Sequence, residues 1–352
     1  MYNEEKIQRI KKGGRGRTLA FFSAIIIMQI ITVGKNDAGQ RLDKFLSKAV
    51  KGLPMSLMYK YIRTKKIKVN RARTQQSYML CAGDEIQLFI RDEFFASPES
   101  DTGALFRIAP KLDIVYEDEN VMLLNKRPGV LVHEDTAAEE NTLIMHVKAY
   151  LAQKGEYDPT EEQSFAPALC NRIDRNTGGI VIAAKNAEAL RAMNEKIRCD
   201  QVKKTYLCAV HGIPKKREAV LRGYLKKDSE KNMVDVRDTP RQGYKEIITG
   251  YRVLTAQRDT ALLEVDLITG RTHQIRAHLS HIGHPLLGDG KYGINRAERE
   301  RGYKFQALYA FRLSFKETEE ESCLCYLEGK SFEIDRGDIW FLKDFPAVGD
   351  AL

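Results

Sequence analysis

Nine residues, Asn171-Arg172-Ile173-Asp174-Arg175-Asn176-Thr177-Gly178-Gly179, constrain this chain more than any other stretch. An acid stands between two arginines, and two glycines precede the apolar run Ile180-Val181-Ile182-Ala183-Ala184. Such a run predicts a buried strand, and the glycines allow a tight backbone turn ahead of it. Asp174 is therefore expected on a turn leading into the core. Flanking cations favour the ionised form of a carboxylate, which suits a nucleophile or base better than an acid. By composition alone the same stretch also reads as a charged surface turn.

The chain has 352 residues, enough for two domains and one sizeable core. An apolar content of 43% and a charged content of 30% fit a globular protein. The net charge of +9 is uneven: residues 1–32 carry +4, residues 33–90 carry +8, and the remainder carries −3. A basic module joined to a near-neutral body points to polyanion binding feeding a catalytic domain. Six cysteines without a C-x-x-C pair argue against disulfides and zinc and for a reducing, cytoplasmic setting.

Residues 1–17 are polar and basic, a composition that does not build a core. Leu19–Ile31 is apolar except for Ser23 and Gln29. These 13 residues fall short of the roughly 20 needed to span a membrane, and no A-x-A-like cleavage site follows. Residues 1–28 are expected to be a disordered or non-native extension, with Met28 as the functional start.

A strand is expected at Ile30–Val33. A helix over Gln40–Val50 places Leu42, Phe45, Leu46 and Ala49 on one face. Pro54 opens a second helix with Leu57, Met58, Tyr61 and Ile62 on its apolar face. Lys60, Arg63, Lys65, Lys66 and Lys68 lie along and after it, and strands follow at Ile67–Asn70 and around Ile86. Residues 91–107 read as a linker with the polar centre Ser97–Gly103.

Beyond the linker come strand, turn, strand and a Pro128-Gly129 break. A helix capped by Asn186 runs to about Cys199, with Ala189, Met193 and Ile197 inward. Strands follow at Lys203–His211, Ile247–Thr255 and Ala261–Leu267, then Gly270-Arg271-Thr272-His273-Gln274-Ile275-Arg276 leads into a helix. Strands do not alternate regularly with helices, which predicts an α+β fold with a mixed, largely antiparallel sheet flanked by helices.

The Asp174 stretch resembles the catalytic motif of the RluA/RluC/RluD-type pseudouridine synthases, His-Arg-Leu-Asp-x-x-Thr-Ser-Gly, with Asn171, Ile173 and Gly178 replacing His, Leu and Ser. Lys204-x-Tyr206 and the Gly270–Arg276 motif follow in family order. Asn125-Lys126-Arg127-Pro128-Gly129 resembles the opening of the same catalytic domain, with Arg127 inserted. Residues 29–90 resemble the small α/β RNA-binding domain shared with ribosomal protein S4, although Lys66 and Arg71 stand where that family often has glycine.

The resemblance implies a two-domain RNA pseudouridine synthase with residues 29–90 binding RNA and residues 108–345 catalytic. Asp174 would be the catalytic carboxylate, Arg276 its partner, and Tyr206 a platform for the target base. Arg172 would fill the gap left by the flipped uridine. Arg271, His273 and Gln274, with Lys60, Arg63, Lys65, Lys66 and Lys68, would bind substrate. The reaction breaks N1–C1′, rotates the uracil and re-bonds it through C5, so no cofactor is expected. Asp174 would attack C1′ or take the proton at C2′, and the sequence leaves both open. The expected partner is RNA, specifically 23S ribosomal RNA or its precursor; no membrane partner is expected, and the chain is expected to be monomeric.

Two other classes remain open. One is a catalytically silent RNA-binding or ribosome-assembly factor on the same fold. The other is a metal hydrolase built on His273, His278, His281 and His284. Pro285 directly after them and the lack of a completing Cys or Glu speak against metal, and none is expected.

Overall fold

The computed structural model describes residues 26–95, 102–133, 141–228, 233–293, 296–319 and 321–346. They belong to two compact units, one within Met1–Val33 and Gly39–Pro98, the other within Gly34–Ala38 and Glu99–Leu352.

The first unit comprises β1 (Ile26–Thr32), α1 (Leu42–Ala49), α2 (Met55–Arg63), β2 (Ile67–Val69), β3 (Ala72–Arg73) and β4 (Glu85–Arg91). The strands form an antiparallel sheet in the order β1-β4-β2-β3. Leu42, Phe45 and Leu46 of α1, Met58 and Ile62 of α2, and Ile67, Ile86, Leu88 and Ile90 of the sheet are all buried. Asn70 and Arg71 link β2 to β3 with φ of 50° and 64°, the left-handed pair that a two-residue hairpin turn requires. Asn70 also ties the turn to β4, donating to Asp84 Oδ1 at 2.8 Å and accepting from the Glu85 N–H at 2.9 Å. Where the S4-like pattern has glycine, Arg71 itself adopts the left-handed conformation, and after α2 it is Lys65 at φ 63° rather than Lys66.

The first strand departs from expectation. It begins at Ile26, before Met28, because β4 runs to Arg91 and offers Ile26 and Ile27 partners in Arg91 and Ile90. The expected N-terminal extension therefore overlaps the sheet at residues 26–28, and residues 1–25 lie outside the described residues.

The second unit contains α3 (Thr102–Arg107), β5 (Ile114–Glu117), β6 (Val121–Lys126), α4 (Leu143–Gln153), β7 (Ala168–Leu169), β8 (Gly178–Ala184), α5 (Ala187–Arg198), β9 (Val202–His211), β10 (Glu218–Asp228), β11 (Met233–Arg237), β12 (Lys245–Gln257), β13 (Thr260–Leu267), α6 (Gln274–His281), α7 (Arg296–Glu300), β14 (Leu308–Phe315) and β15 (Ser331–Glu333). One sheet runs β11-β10-β12-β13-β9-β14-β8-β6-β5, with β15 added to β14 and β7 to β8. Every pairing is antiparallel except β14 with β8, so the fold is α+β with a mixed, largely antiparallel sheet.

The expected linker is partly structured: α3 occupies its last six residues, Leu105 is buried, and Gln153 of α4 donates to the carbonyls of Leu105 and Ile108. Asn186 caps α5 by accepting from the Ala189 N–H at 2.8 Å. Helix α6 stops at His281, four residues before Pro285, because Gly283 turns left-handed at φ 88° and the His284 N–H closes back on the Leu279 carbonyl. Among the described residues, no helix is long and apolar enough to cross a membrane.

The parallel seam explains the two glycines. Tyr309 lies opposite Gly178, and Ala310 opposite Gly179. A Cβ on Gly178 would sit 2.3 Å from the Tyr309 ring, and one on Gly179 2.2 Å from the Ala310 carbonyl oxygen, with φ at 112°. Gly179→Ala is thus expected to destabilise the fold by about 2–5 kcal/mol through combined strain and overlap. Gly155→Ala, at φ 76° with open space around it, should cost only about 1 kcal/mol. Denaturant midpoints of the two variants check the contrast.

Candidate active site

Asp174 lies on the loop entering β8, where its carbonyl accepts from the Thr177 N–H at 3.0 Å. Buried Gln306 donates to Thr177 Oγ1 at 3.1 Å and anchors that turn from the segment before β14. From the other side, Lys126 at the end of β6 donates to the carbonyls of Arg175 at 2.8 Å, Val130 at 2.9 Å and Arg127 at 3.2 Å. Burial pushes this ammonium down to about 7, against the opposing pull of Asp174.

Strand β14 lies between β8 and β9, and Ala310 pairs with both Gly179 and Tyr206. That adjacency brings Tyr206 to the side of the Asp174 loop. Tyr206 is 5% exposed, and among the described residues nothing hydrogen-bonds its hydroxyl. Burial, reinforced by the Asp174 charge, raises its pKa above the ordinary phenol value. It is therefore a neutral phenol at ordinary pH.

Arg276 projects from the first turn of α6 and holds two carboxylates. Its Nη1 donates to Asp174 Oδ2 at 2.7 Å, while Nε and Nη2 grip Asp289 Oδ2 and Oδ1 at 2.7 and 2.8 Å. Asp289 is wholly buried and also accepts from the N–H groups of Lys291 and Tyr292. Burial opposes ionisation of both groups, yet their mutual hydrogen bonds and charges win, raising Arg276 and lowering Asp289. The guanidinium lies 5.2 Å from the centre of the Tyr292 ring. The fork leaves Arg276 one direction in which to hold Asp174.

The remaining candidates divide. His273 has a left-handed backbone at φ 52°, with Nε2 3.9 Å from Asp174 Oδ2. Arg172 and Arg271 are exposed. Gln274, expected among the substrate contacts, is 2% exposed, its Nε2 donates to Ile248 O and Thr249 Oγ1, and its Oε1 accepts from Thr269 and the Arg271 N–H. It braces the loop that presents Arg271 and His273. In the first unit, Lys60, Arg63, Lys65 and Lys66 are exposed and Lys68 is half-buried, with Lys66 over the Tyr61 ring and Lys68 over Phe89.

The other histidines diverge: His278 faces Thr249 Oγ1, His281 faces Asp238, and His284 faces the His211 carbonyl. Among the described residues, no three His, Cys, Asp or Glu side chains form a metal-binding group.

Sequence reasoning assigned no role to Asp289, Lys126 or Tyr292. The available signal for Asp289 was an acid directly after Gly288 in a segment otherwise apolar, His284-Pro285-Leu286-Leu287-Gly288.

Known proteins match this architecture in both units. Residues 120–281 match the RNA pseudouridylate synthase family, and residues 40–86 match the S4 domain. The chain is 32% identical to ribosomal large subunit pseudouridine synthase C of Buchnera aphidicola subsp. Baizongia pistaciae, over 76% of this chain and 82% of that protein. It is 33% identical to an uncharacterized RNA pseudouridine synthase of Mycoplasma genitalium, over 82% of this chain and 89% of that one. The solved structure of human RNA pseudouridylate synthase domain containing 4 shares the fold, with a TM-score of 0.51 at 22% identity over 70% of this chain and 95% of that one. The chain belongs to the RNA pseudouridine synthases. It is an isomerase that converts uridine in RNA to pseudouridine.

Asp289→Asn should loosen Arg276 and cost about 3 kcal/mol of stability, since it removes one partner of a buried pair. The sign follows from the lowered folded pKa of Asp289. Its contribution is present above the unfolded value of about 4 and is lost as pH falls through the folded value. Denaturation of both proteins across that pH range should show the gap closing in acid.

Proposed function

We propose that this enzyme modifies uridines of large-subunit ribosomal RNA in the cytoplasm, with Asp174 as the group that acts on the ribose. Two observations support the target: a relative named for the ribosomal large subunit spans most of the chain, and a basic S4 domain precedes the catalytic unit. The observation that carries the assignment of Asp174 is the fork of Arg276, which aims one buried guanidinium at both Asp174 and Asp289.

In this reading, the target uridine leaves its stack and enters beside Asp174, and Arg172, exposed on the same loop, takes its place. The Asp174 carboxylate attacks C1′ or removes the C2′ proton, and the N1–C1′ bond breaks. The uracil turns against the Tyr206 ring and re-bonds through C5. Because its phenol is neutral, Tyr206 serves first as an aromatic face. Arg271 and His273 contact the nucleotide from the loop before α6. Lys60, Arg63, Lys65, Lys66 and Lys68 hold phosphates farther along the RNA, and the enzyme works as a monomer away from any membrane.

Asp174→Ala should abolish pseudouridine formation in large-subunit ribosomal RNA while RNA affinity stays within about threefold of the parent, a difference of less than 1 kcal/mol. Appreciable product from the folded variant would remove Asp174 from its role. Changing Lys60, Arg63 and Lys65 together to Gln should weaken RNA binding and reduce the slope of log K against log salt by about 2–3, because up to three phosphate contacts no longer release counterions. An unchanged slope would turn these cations away from RNA.

A further inference from the structure

His273 is held by a chain of hydrogen bonds that begins outside the catalytic motif. The backbone N–H of Val234, in β11, donates to the Tyr292 hydroxyl oxygen at 2.9 Å. That hydroxyl lies 2.9 Å from His273 Nδ1. The phenol oxygen thus already accepts once, and among the described residues the hydrogen-bond partner within reach of its own proton is His273 Nδ1. With Nδ1 accepting, the proton of a neutral imidazole must reside on Nε2. Nε2 stands 3.9 Å from Asp174 Oδ2, too far for a hydrogen bond, so Asp174 does not consume it.

Two further features suit a functional aim. His273 keeps a left-handed backbone at φ 52°, ψ 19°, a conformation that costs a non-glycine residue about 1–2 kcal/mol. Its side chain is 9% exposed, so the ring is sheltered, and its Nε2 lies on the Asp174 side at 3.9 Å from Oδ2. The charged groups around it are Asp174 and Asp289, which favour the imidazolium, and Arg276 and Lys291, which oppose it. Burial is the largest influence, and the net direction is downward from the ordinary histidine value.

We infer that Val234 and Tyr292 lock His273 as a neutral imidazole protonated on Nε2, and that this N–H donates to the uracil O2 as the glycosidic bond breaks. This rests on Asp174 being the group that acts on the ribose. When N1–C1′ cleaves, its electron pair leaves on N1 and spreads to O2 and O4 of the ring. O2 lies on the carbon next to N1, and so close to C1′ and to Asp174. A fixed neutral donor there strengthens its hydrogen bond as charge develops, transfers no proton, and so needs no later reprotonation. Imidazolium would instead pair with Asp174 and blunt it. His273 is then a catalytic residue and Tyr292 a positioning residue, which ties strand β11 to the chemistry.

The test uses the full chain, labelled with ¹⁵N-histidine, and an in vitro transcript of large-subunit ribosomal RNA. In the parent protein at pH 7, imidazole nitrogen shifts should report His273 as neutral and protonated on Nε2. Tyr292→Phe keeps the ring beside Arg276 but removes the hydroxyl. It should let both tautomers appear and lower single-turnover rates about tenfold, with KM within about twofold. His273→Asn tolerates the left-handed backbone and should cost about 100-fold in kcat, the usual loss for one such donor. An imidazolium or an Nδ1–H tautomer in the parent overturns the inference, as does parental turnover in either variant. Should Asp174→Ala remain active, the reading of the whole site falls. Should it be dead while Tyr292→Phe and His273→Asn turn over normally, only the His273 lock falls.

Discussion

The close approach of β14 to Gly178 and Gly179 is the constraint on which the catalytic unit depends. Here the sheet contains its one parallel pairing among the described residues, and here the Asp174 loop enters it. Tyr309 fills the space a side chain at position 178 would need, and its hydroxyl is tied to Asn125 of β6 at 2.8 Å. The same strand pairs Ala310 with Tyr206. One seam therefore brings together Asp174 and Tyr206, which are 32 positions apart in the chain.

The electrostatics of the site rest on that frame. An arginine buried to 6% side-chain exposure is tolerable only if its donors are paired. Asp289 takes two of them and Asp174 a third, so one guanidinium is fixed from behind and directed forward. Lys126 acts differently: among the described residues its ammonium donates to three carbonyl oxygens, one of them that of Arg175 beside Asp174, and so it grips the backbone of the loop. Both basic groups constrain the Asp174 loop, one through its carboxylate and one through its main chain.

The first unit uses simpler means. Two amphipathic helices pack on each other, α2 also meets β2 of the four-stranded sheet, and the cations of α2 and the segment after it remain mostly exposed. Its tight hairpin needs two left-handed residues, and Asn70 and Arg71 supply them because Asn70 is anchored through Asp84 and Glu85.

The sequence by itself determined the motif order, the α+β class, the helix faces of α1 and α2, the Asn186 cap and the buried strand β8. Each of these is local: a period, a cap or a run of apolar residues read over one or two turns. It misjudged the start of β1 and the end of the linker, because the partners that extend β1 and pack against α3 lie far along the chain. It also could not rank the polar residues of the Gly270–Arg276 motif. Gln274 and His273 are adjacent in sequence, yet one is enclosed by Thr249, Thr269 and Ile248 while the other turns toward Asp174 on a left-handed backbone. Asp289 stood out locally only as an acid after an apolar segment, and Tyr292 not at all, since a carboxylate behind an arginine and a phenol behind an imidazole exist only once α6 and the segment after it have packed. The candidate groups Asp174, Tyr206 and Arg276 stand out by residue type and order, and tertiary structure alone decided what holds them in place.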